Sequence, residues 1–575
     1  MHVSRVALVD GYVDEPTCLG VPPYVSIYPR YIAGAIWTSA PDTEILYHTI
    51  DQVRDSFQNA QHLWSKTDLI ILIAGMIVPG KYVGGTPISV REARDLFSAS
   101  ELEDIPKLLV GPWAKFGCGL EGGKLALSSE VLKPPFDYIV TGDPELVIAE
   151  ALKPGFNLGS VNTDLTRENA SEIEDFVRKG VSIVKQHPGF SNSYIICEIE
   201  SYRGCPRFIT GGCSFCVEPS YGPPQQRTSR AIAAEIHALY ELGVRAFRIG
   251  HQADLFTYGS KEMSETEFPT PNPAAIRDLF SKVRTGAPDL QVLHIDNVNP
   301  GTIAHHPRES MEAAKAIIQY HTPGDVAAFG VESTDPEVIR RNNLKADMDE
   351  VVEAVRTLND VGGTRDPWGL PHLLPGINLL YGLPGESKKT MEYNMAFLKQ
   401  ILSEGLLVRR INVRQVIGLS GTSLSTGTKT RIKRNQFFKH REEIRDTIDI
   451  EMIRRVAPVG TVLQSVFADG MVGKNILLRQ LGTYPLLCHM PRGKDDSSPQ
   501  DVFVVNHGPR SVTVLPYPFN PSQLSLSQWR VIPGVGSKRA TRVKAAQSLS
   551  SIRDVSKSLD MDLPDWLTRA MDFQS

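Results

Sequence analysis

Arg203-Gly204-Cys205-Pro206-Arg207-Phe208-Ile209-Thr210-Gly211-Gly212-Cys213-Ser214-Phe215-Cys216 decides how the chain is read. Three of seven cysteines fall here with the spacing C-x7-C-x2-C, whereas Cys18, Cys118, Cys197 and Cys488 are scattered. An odd, sparse set of cysteines in 575 residues argues against a disulfide framework and for a reducing cytoplasm. A structural zinc site wants four ligands and usually two C-x-x-C pairs, and only one pair is present. A lone C-x-x-C can be redox-active, but no thioredoxin-like pattern follows this one. Three thiolates on one loop suit three irons of a cubic cluster and leave the fourth iron open to a chelating small molecule. Gly204, Gly211 and Gly212 let such a loop wrap closely.

Around the loop, strand and helix patterns alternate. A strand over 194–200 precedes it. A helix follows with Ile232, Ile236, Leu239 and Leu242 on one face, Ser229 as its N-cap and Gly243 as its stop. Further strands are read at 244–250, 291–297, 326–332, 374–381 and 409–417, with helical patterns at 311–320, 348–361 and 387–404. Six strand–helix repeats within 191–425 are too few for a closed eight-fold barrel and fit an open, partial one. Cys205, Asp254, Asn297, Glu332, Ser333 and Gly382 fall at or just after the C-terminal ends of these strands. In a parallel barrel those ends form one mouth, where sites are built.

Upstream, residues 1–150 predict a Rossmann-like parallel sheet with strands near 6–10, 44–47, 68–74, 107–111 and 136–140. No Gly-x-Gly-x-x-Gly follows the first strand, and there is no Walker loop. The apolar run 69–78 is too short to span a bilayer and reads as a buried strand. Residues 151–190 read as a linker. Downstream, a Ser/Thr/Gly-rich stretch at 419–430 ends the partial barrel, and a basic run follows: Lys429, Arg431, Lys433, Arg434, Lys439 and Arg441. Short strands over 451–516 predict a small β-barrel, with an exposed loop at 494–499. Residues 523–575 are helical around Ile532-Pro533-Gly534-Val535-Gly536. The net charge of −4 is too balanced to announce a nucleic-acid or membrane partner, and the N-terminus lacks a signal-peptide core.

The cysteine loop, Phe215 beside its last thiol, and the partial barrel resemble the radical SAM superfamily, although the first cysteine gap is longer than the family's usual one. Phe329-Gly330-Val331-Glu332-Ser333 resembles its fourth-strand element, and the stretch from Pro375 to Glu386 resembles its fifth. Gly250-His251-Gln252-Ala253-Asp254 sits where the family places the loop that grips the methionine amine of S-adenosylmethionine (SAM). Val416 falls on the sixth strand, where a backbone contact to adenine is usual. The resemblance implies a [4Fe–4S] cluster on Cys205, Cys213 and Cys216. It implies SAM held by Gly250, Gln252, Asp254, Glu332, Ser333, Asn378, Gly382 and Val416. It also implies an enzyme that cleaves SAM reductively to a 5′-deoxyadenosyl radical, fed by a ferredoxin- or flavodoxin-type donor. No further catalytic side chain is assigned.

The flanks resemble known modules too. Residues 1–150 look like the domain that precedes the barrel in cobalamin-dependent radical SAM proteins. The cobalt-ligating Asp-x-His-x-x-Gly is absent, so cobalamin is not favoured. Cys18 and Cys118 are too few for a second cluster of the methylthiotransferase kind. Residues 451–516 resemble a TRAM domain, and 532–540 resemble a helix–hairpin–helix with Gly534, Gly536, Lys538 and Arg539 as candidate nucleic-acid contacts. The whole order is similar to an archaeal group of radical SAM proteins carrying that motif. RNA is the leading expected substrate. Two other readings stay open: a cobalamin-dependent methyltransferase of a peptide or small molecule, and a nucleic-acid-binding protein with a structural cluster.

Overall fold

The computed structural model describes residues 3–573 apart from 16, 77–84, 120–121, 154–157, 427–432, 494–497 and 547. The end of the apolar run at 77–78, Lys429 and Arg431, and most of the 494–499 loop lie outside the described residues.

The N-terminal part supplies β1 (Arg5–Asp10), a short β2 (Tyr24–Val25), β3 (Glu44–Thr49), β4 (Leu69–Ile73), β5 (Lys107–Val110) and β6 (Tyr138–Ile139). Five of them form a parallel sheet in the order β3-β1-β4-β5-β6. Leu-Ile-Ile-Leu-Ile in β4 is buried on both faces, as a central parallel strand requires. The helix Glu174–Gly180 lies against the helix Ile27–Ser39 at glycine contacts: a methyl on Gly34 would sit 1.8 Å from the Phe176 carbonyl oxygen.

The sixth strand of this part, β2, leaves that sheet and pairs with β7 (Ile196–Glu200) of the next. Arg30 is fully buried and reaches Glu235 on the helix Ser229–Glu241 at 3.1 Å. Arg227 reaches the same carboxylate at 2.6 Å. Removing one member of such a set strands a buried charge, at a cost of about 3–5 kcal/mol.

Beyond β7, a two-stranded ladder of β8 (Tyr202–Arg203) and β9 (Gln225–Gln226) brackets the cysteine loop. Then come β10 (Ala246–Gly250), β11 (Val292–Ile295), β12 (Asn297–Val298), β13 (Asp325–Glu332), β14 (Leu373–Tyr381) and β15 (Arg410–Gln415). They form two parallel runs, β11-β10-β7-β2 and β12-β13-β14-β15, which give the expected partial barrel. The stretch read as one strand at 291–297 breaks at Asp296 into β11 and β12. The N-cap expected at Ser229 is Thr228, whose side chain accepts from the Ala231 N–H; Ser229 is the first helical residue.

The C-terminal third is a closed barrel of β16 (Val462–Val472), β17 (Asn475–Arg479), β18 (Leu487–Pro491), β19 (Gln500–His507) and β20 (Ser511–Pro516). Short helices from Leu526 onward pack on it through Phe503, Phe519 and Trp529. Its 481–485 loop stoppers the N-terminal end of the partial barrel. The Thr483 N–H donates to His294 Nδ1 at 2.8 Å, and Thr483 Oγ1 donates to the Ile295 carbonyl at 3.0 Å. The Tyr24 hydroxyl donates to the Gly482 carbonyl at 2.6 Å. A cavity of about 350 Å³ runs along this seam, at the opposite end of the barrel from the cysteines. Thr483→Val is expected to lower stability by about 1–3 kcal/mol by orphaning the Ile295 carbonyl. Chemical denaturation reads this, and an unchanged midpoint would show the stopper to be peripheral. No helix among the described residues is long and apolar enough to cross a membrane.

Candidate active site

The long gap between the first two cysteines folds into a 3-10 turn, Pro206–Thr210, followed by Gly211 and Gly212 at φ +81° and +66°. A methyl on Gly212 would lie 2.2 Å from the Pro219 ring, so only glycine fits. The turn is pinned from outside. Asn343, left-handed at φ +47°, donates from Nδ2 to the carbonyls of Thr210 and Gly212 at 3.1 and 2.9 Å. Arg207 donates to the Asn343 carbonyl at 2.8 Å and to Cys213 Sγ at 3.1 Å. The Ser214 N–H and hydroxyl both bond Asn342. The extra length therefore serves as a brace between the loop and the end of the helix Pro336–Asn342.

Cys205 and Cys213 are buried, Cys216 is half-buried, and Cys213 and Cys216 share an apolar wall with Phe215, Val338, Leu383 and Val416. All seven cysteines are unpaired. Burial pushes the Cys205 thiol up to about 12 and Cys216 well above its ordinary value, and the neighbouring thiols push the same way. Such thiols keep their protons until a cation displaces them. Among the described residues, the three sulfurs are not all within 4.8 Å of one another. Three thiolates on one tetrahedral zinc stand about 3.8 Å apart, given Zn–S bonds of about 2.3 Å.

Lys345, which no motif reading singled out, faces these thiols. Burial works against its charge, while Glu332, and the cysteines once they have lost their protons, work for it, and the net direction is up. Glu332 is a non-glycine residue at φ +65°, set by a β-bulge between Gly330 and Glu332. A methyl on Gly330 would lie 2.3 Å from Lys345 Nζ and 2.7 Å from Glu332 Oε1, so this glycine makes the space where the two groups converge. Burial lifts the Glu332 carboxyl to about 7, against the pull of Lys345 and Arg414.

The other expected SAM contacts divide in two. Asp254 caps the turn Leu255–Thr257 through Oδ1, while its buried Oδ2 has no hydrogen-bond partner. Its carboxyl is lifted to about 6 by burial. Gly250 gives room to the Glu198 carboxylate, 2.0 Å from where its Cβ would lie, which Arg248 grips at 2.7 and 3.0 Å. Gln252 is fully buried and bonded to Ser201 and Ile249. Ser333 accepts from the Asp335 N–H, closing the strand-to-helix turn. Asn378 accepts from Asn412 at 2.8 Å, and the Gly382 N–H donates to Glu386 at 2.7 Å. The Val416 N–H donates to the Tyr381 carbonyl and its own carbonyl accepts from Gly123, so its backbone is already engaged by protein. Asp254 and Glu332 are thus buried carboxylates at these strand ends, with the Thr302 hydroxyl and the Asn299 and Phe256 N–H groups favouring the charged form of Asp254; the polar groups of Gln252, Ser333 and Asn378 are bonded to protein.

The helix–hairpin–helix region is tied up more than its sequence suggests. Gly534 is left-handed at φ +82°, and Gly536 and Lys538 are exposed. Arg539 donates to the Gly534 and Asp560 carbonyls at 2.9 Å each, which ties it to the hairpin itself.

The site is thus a loop of three thiols at the mouth of the partial barrel, beside a lysine and two buried carboxylates. The chain belongs to the radical SAM superfamily, whose model matches residues 199–398. An uncharacterized protein of Methanocaldococcus jannaschii is 42% identical over 89% of this chain and 93% of its own length. One of Archaeoglobus fulgidus is 39% identical over 92% and 93%. Among solved structures, the radical SAM methyltransferase TsrM of Kitasatospora setae, with cobalamin and a [4Fe–4S] cluster bound, aligns at a TM-score of 0.44. Its identity is 14%, over 74% of this chain and 77% of its own. The cobalamin-dependent radical SAM enzyme OxsB aligns at 0.44 with 12% identity, over 69% and 52%. The protein is a radical SAM enzyme whose cofactors are a [4Fe–4S] cluster and SAM.

Proposed function

We propose that this enzyme seats SAM between the cysteine loop and Lys345 and uses the resulting radical on a C–H bond of RNA. The observation that carries the SAM half is the convergence of two buried thiols and a half-buried one with Lys345, Glu332 and Asp254 on one mouth. Cys205, Cys213 and Cys216 hold the cluster, which supplies the electron that splits SAM into methionine and a 5′-deoxyadenosyl radical. Lys345 takes the methionine carboxylate, and Asp254 Oδ2 and Glu332 take the ammonium. The apolar wall of Phe215, Leu383 and Val416 keeps water from the radical.

The RNA half is supported by the helix Arg434–Ile444. It packs Phe437 and His440 against Tyr381, at the mouth end of β14. Its Phe438 is 37% exposed and lies between Arg434 and Arg441, with guanidinium-to-ring distances of 5.5 and 4.7 Å. A ring flanked by arginines beside a reaction mouth is a stacking platform for an unpaired base.

The test is anaerobic reconstitution with iron and sulfide, then SAM and dithionite, with 5′-deoxyadenosine assayed by mass and cobalamin measured in the purified protein. Cleavage stimulated by single-stranded RNA supports both halves. Cleavage indifferent to RNA, or stoichiometric cobalamin, redirects the substrate toward a peptide or small molecule. A cluster without cleavage under any addition makes the cluster structural. Phe438→Ala is expected to weaken RNA binding by about 10- to 100-fold, since one stacked base contributes about 1–3 kcal/mol. Fluorescence anisotropy reads this, and unchanged affinity removes the platform from the proposal.

A further inference from the structure

We infer that the protein carries a second metal site, for one divalent ion of the zinc or ferrous type, where the N-terminal domain meets the barrel mouth. Its ligands are Glu15, Cys18 and His251. The three side chains are buried, at 8%, 0% and 3% exposure, and their ligand atoms all lie within 4.8 Å of one another.

The backbone presets this arrangement. The Glu15 N–H donates to the Cys18 carbonyl, and a bridge joins Asp14 to Leu19, so Glu15 and Cys18 stand on one tight turn. His251 comes from the barrel, just past β10, with a left-handed φ of +50°. Its N–H donates to the Thr17 carbonyl at 2.7 Å, which fastens the two loops together at the site. That φ is unfavourable for histidine and directs the ring toward the other domain.

Geometry and chemistry then agree. His251 Nε2 is 3.5 Å from Glu15 Oε1. Two ligands on a tetrahedral ion with bonds near 2.0–2.1 Å stand about 3.4 Å apart. The other ring nitrogen, Nδ1, lies 3.2 Å from Glu200 Oε2, and Glu200 is itself ion-paired with Arg167 at 2.5 Å. At that distance Nδ1 has a carboxylate behind it but no well-aligned hydrogen bond; a carboxylate on the far nitrogen is the usual way to orient a ligating histidine, and the bond would close as the ring takes up the ion. A thiolate, an imidazole and a carboxylate form a borderline-soft set suited to zinc or ferrous iron rather than magnesium or calcium.

A further buried carboxylate, Glu218, is near enough for the charges of His251 and Glu15 to act on it. Glu218 is 4% exposed, and its Oε1 accepts from Thr17 Oγ1 at 2.7 Å. Its buried Oε2 has no hydrogen-bond partner. Glu198 is held by Arg248, Asp143 by Arg203 and Glu200 by Arg167; among the described residues neither Glu15 nor Glu218 forms an ion pair with an arginine or lysine, and Lys115, seated over the Tyr221 ring, acts on both only through space. On binding, the ion displaces the Cys18 thiol proton and the proton on His251 Nε2, both of which leave to solvent. The ion cross-links the domain that carries Cys18 to the barrel that carries the catalytic loop.

The test uses the full chain with Cys205, Cys213 and Cys216 replaced by serine, so that cluster iron cannot compete. Cobalt(II) chloride and zinc chloride are the probes. The expected result is about one ion per chain with a near-ultraviolet thiolate-to-cobalt band. Cys18→Ser should abolish the band, His251→Ala should abolish stoichiometric binding, and Glu200→Gln should weaken it by about 10- to 100-fold. Should the triple variant fail to fold, zinc is counted in the cluster-loaded protein with and without Cys18→Ser. There the expectation is about one zinc or non-cluster iron beside the cubic cluster, lost in the variant. No stoichiometric ion in either form, or a band that survives Cys18→Ser, overturns the site and leaves His251 as a buried ion-pair partner.

Discussion

Cys213→Ala is expected to abolish 5′-deoxyadenosine formation, by at least about a thousandfold, the scale at which removal of an indispensable member of a catalytic set is felt. Cys213 is the thiol most tightly built into the loop, since Arg207 donates to its sulfur at 3.1 Å and the Cys216 N–H bonds its carbonyl. Its loss leaves two thiols for a cluster that needs three protein ligands, so iron and sulfide content fall with activity. Folding is a separate readout. The loop is pinned independently by Asn342 and Asn343, so thermal midpoint and circular dichroism stay close to the parent's. Cys488→Ala is the control: that residue is buried in the C-terminal barrel, so its replacement lowers stability and leaves SAM cleavage intact. Retention of full iron and activity by Cys213→Ala would sink the cluster assignment.

If Lys345 takes the methionine carboxylate as proposed, Lys345→Met is expected to raise the KM for SAM by about 10- to 100-fold, with cluster iron unchanged. A charge-assisted bond to a carboxylate contributes about 1.5–3 kcal/mol, and about 1.4 kcal/mol is a factor of ten. Methionine keeps the length and apolar stem of lysine while removing the charge. Without that charge, the Glu332 carboxyl loses the first of the two cations that hold it down, so its pKa moves further above 7. Lys345→Arg restores part of the affinity, because its charge is kept while its larger head crowds Gly330. A loss of iron in Lys345→Met, at unchanged KM, would show that the lysine balances the charge of the cluster rather than that of SAM.

Much of this enzyme was legible without coordinates. Local chemistry marked the cysteine loop, because thiol spacing and flanking glycines are properties of a short contiguous segment. Periodicity marked the strands, because β4 and β13 are buried along their whole length and their side chains say so. Asp254 and Glu332 were legible as strand-end residues of a parallel barrel, and both are buried carboxylates there.

What the sequence by itself determined was therefore the chemistry of the loop and the class of barrel beneath it. Tertiary structure decided the rest. Lys345 belongs to no spaced motif; a left-handed turn at Asn343, after an unremarkable helix, carries it over the thiols. Gln252 lies in the expected loop, whereas Val416, expected on the sixth strand, falls one residue past the end of β15; the bonding capacity of both is absorbed by Ser201, Ile249, Tyr381 and Gly123. The stopper at Thr483 and the meeting of Glu15 and Cys18 with His251 join residues far apart in the chain. No local pattern encodes such meetings. They arise when separately folded units bury apolar surface against one another, and the polar groups caught at the seam must then find partners.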